Sequence, residues 1–352
     1  MPDMTQISVF MRKRDQVKWG ALWLLLVTIG YNSGTEYVTL EGLAIPVQLQ
    51  ANVEREWRQV SLRQLYEVPR ESGIELYMPG PFRIGSDGAL YYMDPGDMKI
   101  KHFDADGYFK HSYGGLGEGP GEFRVFTEAG ILGDSVLYVT DFTRRAISFF
   151  AVDSSTFLYR IPNIHAHKYR ITQGGRAYWI DLESDSLLGT STSKHDARSI
   201  GTMIKGQSAV HRLLTGGHIA PYQEDIVYIP SKYPILIRYD SAGTVIYARA
   251  TPDFEAAELP SLERLDTAVG FGTRVRGRSL YGHSETYGDK LVLYADVSAS
   301  EKAFDVYDAA TGDYEYSVSM PWGRIYFASY DPMRKRVWQV RDTTVAVYAV
   351  DP

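Results

Sequence analysis

The sequence predicts an all-β fold, a six-bladed β-propeller with four-stranded blades, and three observations lead to this prediction. Tyr and Gly are frequent, at 26 and 32 residues, and β-branched and aromatic side chains suit a pleated, half-buried surface. A unit of short apolar strands separated by tight turns recurs along the chain. The chain beyond residue 56 has room for six such units at roughly 40 to 50 residues each, which is a known propeller period.

The first copy of the repeated unit is the clearest. A turn at residues 86–88 leads into an apolar strand at 90–94, a second strand follows at 100–104, and a turn at 106–107 leads into an aromatic strand at 108–113. Gly and Asp supply the backbone conformations that such turns need. The first apolar strand of copies one to five begins near Leu90, Leu137, Ala177, Val227 and Leu291, and the sixth copy has apolar stretches at 325–327, 337–340 and 345–348. The third copy departs from the pattern, because the strand that follows its first apolar stretch is weak.

The two ends of the repeat region complement each other. The sixth copy lacks its last strand, whereas residues 57–68 precede the first copy and belong to no complete unit. A propeller leaves such pieces when its closing blade takes strands from both ends of the chain. We therefore expect residues 57–68 to pair beside residues 345–348, which would close the ring and remove an open strand edge.

The N-terminal region has the pattern of an export signal. Basic residues at positions 12–18 precede an apolar run at 19–29, and this run is shorter than the roughly 20 residues needed to span a bilayer. A signal peptide or short anchor is expected, the alternative being a buried helix of the folded domain. Membrane contact would be confined to this segment. The predicted division of the chain is a signal or anchor at 1–34, an extended leader at 35–56 and the propeller at 57–352.

Composition excludes several classes of function. The chain has no Cys, which excludes disulfides, thiolate metal sites and a lipid-modified cysteine. We therefore expect a periplasmic or extracellular protein that is not a lipoprotein. The net charge is −6 with both signs mixed along the chain, and no basic run of the kind that follows a phosphate backbone occurs, so a nucleic-acid partner is not expected. A monomer is expected.

An insertion lies between the fourth and fifth copies. Residues 261–265 have the pattern of a short capped helix. The following segment carries Arg274, Arg276 and Arg278, which could hold an anionic ligand from a loop at the ring mouth. The alternative is that exposed arginines simply solvate this loop.

Two segments carry a resemblance to a known family. Residues 85–92 together with 103–107 look like one NHL repeat, and the glycine-rich residues 113–123 are similar to the linker that joins such repeats. No helix pattern and no Lys-Ser or Lys-Thr follows this linker, so it is interpreted as a connector with positive φ angles rather than a phosphate loop. The chain thus resembles the six-bladed NHL-like propellers common among exported proteins of the Bacteroidetes. The resemblance implies a binding module that presents ring-face loops to a protein, peptide or glycan partner, although one fold hosts many functions.

Histidines recur at one position of the repeat. His167, His218 and His283 each precede the turn that opens a copy, which places them on the innermost strands, around the central channel. Three imidazoles and an open position would make a catalytic zinc site, with Glu128 as a fourth ligand or base. This is the alternative function, a metal-dependent lyase or hydrolase with zinc or calcium in the channel. A polar channel also accommodates His without any metal, and no G-x-S-x-G or H-E-x-x-H motif occurs, so the binding role is favoured over an enzymatic one.

Overall fold

The structure is a computed structural model, and it describes residues 28–32, 35–39, 45–50, 54–162, 164, 167–180, 188–191, 197–201, 216–254, 261–267, 270–276, 279–298, 301–320 and 327–352. The regular elements in these ranges are all β-strands. Within them, no helix has the length and hydropathy needed to cross a membrane. Most of the predicted export signal, residues 1–34, lies outside the described residues.

Six four-stranded blades form the ring, which confirms the predicted fold class. Five strands precede the first blade: β1 (Thr28–Asn32), β2 (Thr35–Thr39), β3 (Val47–Gln48), β4 (Trp57–Arg58) and β5 (Ser61–Val68). Blade one is β6 (Phe82–Ile84), β7 (Leu90–Asp94), β8 (Lys99–Phe103) and β9 (Phe109–Gly114). Blade two is β10 (Phe126–Leu132), β11 (Val136–Asp141), β12 (Ala146–Ala151) and β13 (Phe157–Ile161). Blade three is β14 (His167–Ile171), β15 (Ala177–Ile180), β16 (Leu188–Ser191) and β17 (Arg198–Ile200).

The second half of the ring repeats this order. Blade four is β18 (Gly217–Tyr222), β19 (Asp225–Pro230), β20 (Ile235–Tyr239) and β21 (Val245–Ala250). A hairpin of β22 (Ser261–Thr267) and β23 (Gly270–Arg276) follows. Blade five is β24 (Tyr281–Tyr287), β25 (Lys290–Asp296), β26 (Lys302–Asp308) and β27 (Tyr314–Met320). Blade six is β28 (Ala328–Asp331), β29 (Arg336–Arg341), β30 (Thr344–Asp351) and, on its outside, β5.

The hydrophobic core lies between neighbouring blades. Tyr91 and Ile100 of blade one, for example, pack with Leu137 and Phe150 of blade two. Both faces of a blade are covered in this arrangement, which explains why all five residues of β7 are buried and why the strand reads as a continuous apolar run rather than an alternating one.

Ring closure follows the predicted scheme for most of the segment. β5 pairs antiparallel with β30, with Val68 opposite Val345 and Gln64 opposite Tyr348. Trp57 and Arg58 do not join this pairing: they form β4, which runs parallel to β27 on the edge of blade five. The prediction was therefore wrong for these two residues, because the chain steps from one blade to the next between β4 and β5.

Residues 45–50 and 54–68 form a strap along the outer edges of three successive blades. β3 lies parallel to β21 of blade four, β4 lies on blade five and β5 completes blade six. Upstream, β2 pairs with β3 and β1 pairs with β2, which extends the sheet of blade four outward. The side-chain amide of Gln50 donates hydrogen bonds of 2.9 Å to the carbonyls of Ala250 and Gly312. The strap thus joins blades four and five through side-chain contacts as well as strand pairing.

The insertion after blade four differs from its prediction. Residues 261–267 form β22 rather than a helix, with Leu262 opposite Val275 in an antiparallel ladder with β23. The helix prediction considered this segment alone, whereas the β-branched and aromatic residues of β23 supply a strand partner for its backbone groups. Arg274 and Arg276 consequently lie on β23 and not in a loop, and Arg278 lies outside the described residues.

The glycine-rich connector between blades one and two is confirmed. Gly114, Gly115 and Gly121 have φ angles of 80°, 143° and 77°, and strand β10 follows them rather than a helix. A Cβ atom at Gly114 would lie 2.1 Å from Cε2 of Phe123, so this position requires glycine for space as well as for conformation.

Candidate functional site

The channel is bordered by the innermost strand of each blade, β6, β10, β14, β18, β24 and β28. We call the ring end at which these strands begin the loop face, since it carries the connections between blades, and the opposite end the turn face. A loop-face cavity of about 390 Å³ and a turn-face cavity of about 410 Å³ lie in the channel. Arg83 lines both cavities.

A layer of buried ion pairs lies between the two cavities. Arg83 Nη2 is 2.5 Å from Glu128 Oε2, and Arg83 Nε is 3.2 Å from Glu285 Oε1. Arg170 also contacts Glu128 Oε2, and its Nη2 lies 4.0 Å from Glu285 Oε1. Four side chains from four blades therefore cross the channel and separate its two ends.

The electrostatics of this layer keep both acids ionised. Burial alone would raise the pKa of Glu128, but Arg170 and Arg83 outweigh it and lower that pKa below its usual value. Burial likewise disfavours the charged form of Glu285, whose pKa is nevertheless held well below its usual range, chiefly by Arg83 and by the adjacent His283. The distance from His283 Nε2 to Glu285 Oε1 is 3.3 Å.

The loop-face cavity receives a side chain from every blade. In blade order these are Arg83, Glu128, Lys168, His218, His283 and Ala328. The remaining lining is largely apolar and is formed by Pro81, Phe82, Thr127, Gly282, Tyr294 and Phe327.

Lys168 and His218 form a close pair in this cavity. The Lys168 ammonium lies 2.9 Å from His218 Nδ1, and His218 Nε2 lies 3.2 Å from the carbonyl of Tyr281. Burial, together with Lys168, lowers the pKa of His218 well below its usual value, so the imidazole is neutral. It then donates from Nε2 to Tyr281 and accepts from Lys168 at Nδ1. Burial also lowers the pKa of Lys168, to about 8, against the opposing influence of Glu128.

β-Bulges place the side chains that line the loop-face cavity. The register of β14 shifts between His167 and Tyr169, and Lys168 between them has a φ of 50°. Corresponding shifts occur at Thr127 in β10 and at Gly282 in β24. A bulge inserts one unpaired residue and redirects the side chains next to it. Three innermost strands thus depart from regular pairing at the same depth of the channel.

The structure brings together three of the four residues predicted as metal ligands. His218, His283 and Glu128 line the loop-face cavity, whereas the side chain of His167 is outside the described part of the chain. From β14 it is Lys168 that lines the cavity. Among the described residues, no group of three or more His, Asp or Glu side chains is placed to hold a metal ion. The metal site stays a prediction, as does an anion site at Arg274, Arg276 and Arg278, whose side chains are not described.

Sequence reasoning missed Lys168, Arg83, Arg170 and Glu285. A signal for one of them was present, because Glu285 follows the predicted His283 at a spacing of two residues, which is the spacing of side chains on one face of a strand. The bulge in β14 had no such signal. It accompanies the placement of Lys168 in the cavity wall.

Exposed apolar side chains gather at the loop face. The loop-face patch consists of Tyr77, Met78, Leu116, Val125, Phe142 and Phe327. Leu116 is 71% exposed and Tyr77 is 55% exposed. Two of these residues are directly connected, since the amide of Phe142 donates to the carbonyl of Val125 at 2.9 Å. Of the described residues, two large exposed hydrophobic side chains, Tyr108 and Met333, lie at the turn face.

Fold and channel together define a six-bladed β-propeller whose channel is crossed by buried ion pairs. A protein of Bacteroides fragilis provisionally named as exported is similar in structure, with a TM-score of 0.54, 12% identity, and coverage of 87% of this chain and 97% of that one. A member of the DUF4221 family from Bacteroides vulgatus has a TM-score of 0.54 and 10% identity, and the match covers 85% of this chain and 99% of that one.

Virginiamycin B lyase of Staphylococcus aureus superposes less well, with a TM-score of 0.47 and 11% identity over 82% of this chain and 99% of that one. At these identities the likeness concerns the fold. No protein-family model matches the chain, and no curated protein sequence does.

Proposed function

We propose that this protein is an exported binding module that presents its loop face to a protein or peptide partner. The loop-face patch is the observation that carries the proposal. Large exposed apolar side chains gathered on one face are characteristic of interaction sites, and aromatic and Met side chains are enriched at the centres of interfaces. The patch spans connections of blades six, one and two, so a partner would contact several blades at once.

Partner binding on the surface of the ring is consistent with the ion pairs that cross the channel. An extended chain passing from one face to the other would meet the layer of Arg83, Glu128, Arg170 and Glu285 and would have to displace its buried ion pairs. Breaking such pairs is costly. A partner would instead lie across the loop face.

Export is proposed on two grounds. Residues 12–29 have the pattern of a signal peptide or short anchor, and one similar structure is that of a Bacteroides protein provisionally named as exported. A periplasmic or extracellular location follows, without a lipid-modified cysteine because the chain has no Cys. Recovery of the full-length chain with residues 19–29 in the soluble cytoplasm of its own cells would contradict this part.

Site-specific photo-crosslinking tests the partner surface. A photoreactive amino acid replaces Met78 or Phe142 on the loop face, or Tyr108 or Met333 on the turn face as matched controls, and the protein is expressed in the cells that encode it. We expect discrete adducts from the loop-face positions and none from the controls. Adducts carrying peptide fragments identify a protein partner, whereas adducts carrying sugar identify a glycan. Equal crosslinking from both faces would overturn the proposal.

A metal-dependent lyase or hydrolase is the second candidate. The convergence of His218, His283 and Glu128 on one cavity favours it. Two observations oppose it: Lys168 occupies Nδ1 of His218, and Glu128 is already neutralised by two arginines. Elemental analysis of the purified protein for zinc and calcium distinguishes the two candidates. A metal-dependent enzyme requires stoichiometric bound metal, whereas the binding module does not.

A further inference from the structure

The charged groups around the loop-face cavity do not balance. Arg83, Arg170 and Lys168 are cationic, whereas Glu128 and Glu285 are the described acids that face them. The two arginines share the two glutamates. Lys168 is within hydrogen-bond distance only of the neutral imidazole of His218, among the described residues. Counted over the described residues, the cavity wall therefore carries one positive charge without a matching anion.

The Lys168 ammonium also retains unused hydrogen-bonding capacity. An ammonium group has three donors, and a single donor suffices for its contact with His218. A buried charge is costly unless it is paired and hydrogen-bonded. An anion entering the cavity would supply both the charge and the acceptors that the described residues do not.

The backbone at Lys168 is unusual for a lysine. Its φ of 50° lies in the left-handed region, which non-glycine residues rarely adopt within a strand. Such conformations persist where surrounding structure imposes them, and they cluster at ligand sites. Here the bulge in β14 brings the lysine, rather than its neighbours, to the cavity.

The rest of the cavity wall selects the kind of ligand. Phe82, Tyr294 and Phe327 supply apolar surface, and a volume of about 390 Å³ lies within the range of small-molecule pockets. Glu128 faces the same space and disfavours a second negative charge. The wall thus fits a body that is apolar at one end and singly negative at the other.

We propose that the loop-face cavity is a binding site for a carboxylate group attached to an apolar body, with Lys168 as the cation that holds it and His218 as the residue that positions Lys168. A carboxylate carries one negative charge, whereas a phosphate monoester carries about 1.5 to 2 at neutral pH, which exceeds the single unmatched charge. Two sources share this chemistry, a free organic acid and the C-terminus of a peptide.

Calorimetric titration of the full-length protein tests the site. The probes are phenylacetate and its neutral analogue phenylacetamide, together with a Gly-Gly-Phe peptide with a free or an amidated C-terminus. We expect the acids to bind and the amides to bind at least about tenfold more weakly, since a hydrogen bond to a charged group contributes enough for that factor. Tighter binding of the free-carboxylate peptide than of phenylacetate points to a peptide source, and the reverse order points to a small acid.

The variant Lys168→Met removes the charge and keeps the length of the side chain. It should weaken phenylacetate binding by about tenfold or more and should be no less stable to heat, because an unmatched buried charge is removed. Lys110→Met is the matched control, since Lys110 is half-exposed on blade one and pairs with Asp104.

The proposal is overturned if neither acid binds at millimolar concentration, if acids and amides bind equally, or if folded Lys168→Met binds phenylacetate as the wild type does. The comparison of acids with amides uses wild-type protein, so it tests carboxylate binding even if the variant does not fold. The photo-crosslinking above uses exposed residues outside this cavity, so either proposal can fail while the other stands.

Discussion

His102 shows how a single buried ring ties the stability of blade one to pH. Its imidazole stacks on Tyr91, with ring centroids 4.3 Å apart and an interplanar angle of 13°. Burial, with a smaller contribution from His111, lowers the pKa of His102 to about 4 from its usual 6.5. The folded protein therefore holds this ring neutral at pH values at which the unfolded chain protonates it.

We predict that stability falls as the pH falls from about 6.5 to about 4, and that His102→Phe reduces this loss. In that window the unfolded chain gains a proton that folded His102 does not, which costs up to about 3 kcal/mol. Phe keeps the stacking on Tyr91 and removes the titration. The measurement is the free energy of unfolding by urea at pH 7.5 and pH 4.5. If the free energy of unfolding changes by the same amount between the two pH values in wild type and variant, His102 does not contribute to the loss of stability at low pH.

The residue scale is also where prediction from sequence was least complete. The spacing of His218 and His283 ahead of their turns was enough to place both at the channel. The same reasoning selected His167, whose side chain lies outside the described residues, and it did not find Lys168, which lines the cavity from that strand. A bulge depends on how two strands pair after folding, and the sequence of β14 alone carries no mark of it.

At the scale of elements, the strap is fixed by one buried arginine. Arg55 Nη1 lies 2.9 Å from Asp253 Oδ1, and Arg55 Nε lies 3.0 Å from Asp305 Oδ1. Asp253 follows the last strand of blade four and Asp305 lies on β26 of blade five. Ser317 donates a further hydrogen bond of 2.6 Å to Asp305. Burial raises the pKa of Asp305 even though Arg55 opposes that rise, so this acid depends on its arginine partner.

Replacing Arg55 by Met is expected to lower the free energy of unfolding by about 3–5 kcal/mol, because two buried carboxylates lose their cation. Arg63→Met is the matched control on the same strap. Arg63 pairs with Asp351 on the surface, and such exposed pairs contribute less than about 1 kcal/mol. Urea unfolding of both variants measures the difference. If both variants lose a similarly small amount of unfolding free energy, the Arg55 cluster does not anchor the strap.

The blades and the closing strand β5 could be predicted from sequence, whereas β3, β4 and the hairpin could not. Each blade contains its own turns and apolar strands, so local patterns locate β7 or β11 within a residue or two. The two residues of β3 have no strand pattern of their own; they are strands only because β21 lies beside them. Residues 261–267 likewise owe their conformation to β23. Features that depend on a distant or later partner are invisible to local periodicity.

The whole ring depends on the pairing of β5 with β30. Without β5, the edge of β30 would present unpaired backbone groups along a long apolar strand, and such an edge invites pairing with another molecule. The strap upstream of β5 contributes contacts to blades four and five but does not complete a four-stranded sheet.

Two truncations are predicted to behave differently. A chain that begins at residue 45 retains β3, β4 and β5 and should fold as a monomer, whereas a chain that begins at residue 70 lacks the closing strand and should aggregate or form oligomers. Size-exclusion chromatography with circular dichroism distinguishes these outcomes. A stable monomer from the shorter chain would show that blade six does not need β5.

The pairing of β5 with β30 also sets the order of events during synthesis. β5 is made before every strand of the six-blade series, and its partner follows all of them, so the strand must remain without that partner while the other blades are translated. Contacts between positions so far apart in the chain form slowly, because loop closure precedes any gain from pairing. Until residues 344–351 emerge, the nascent chain exposes apolar strand edges of the kind that chaperones bind. Because synthesis proceeds from the N-terminus, the ring can close only after β30 has been made. A chaperone that covers β5 until then would determine what fraction of the chains completes the ring.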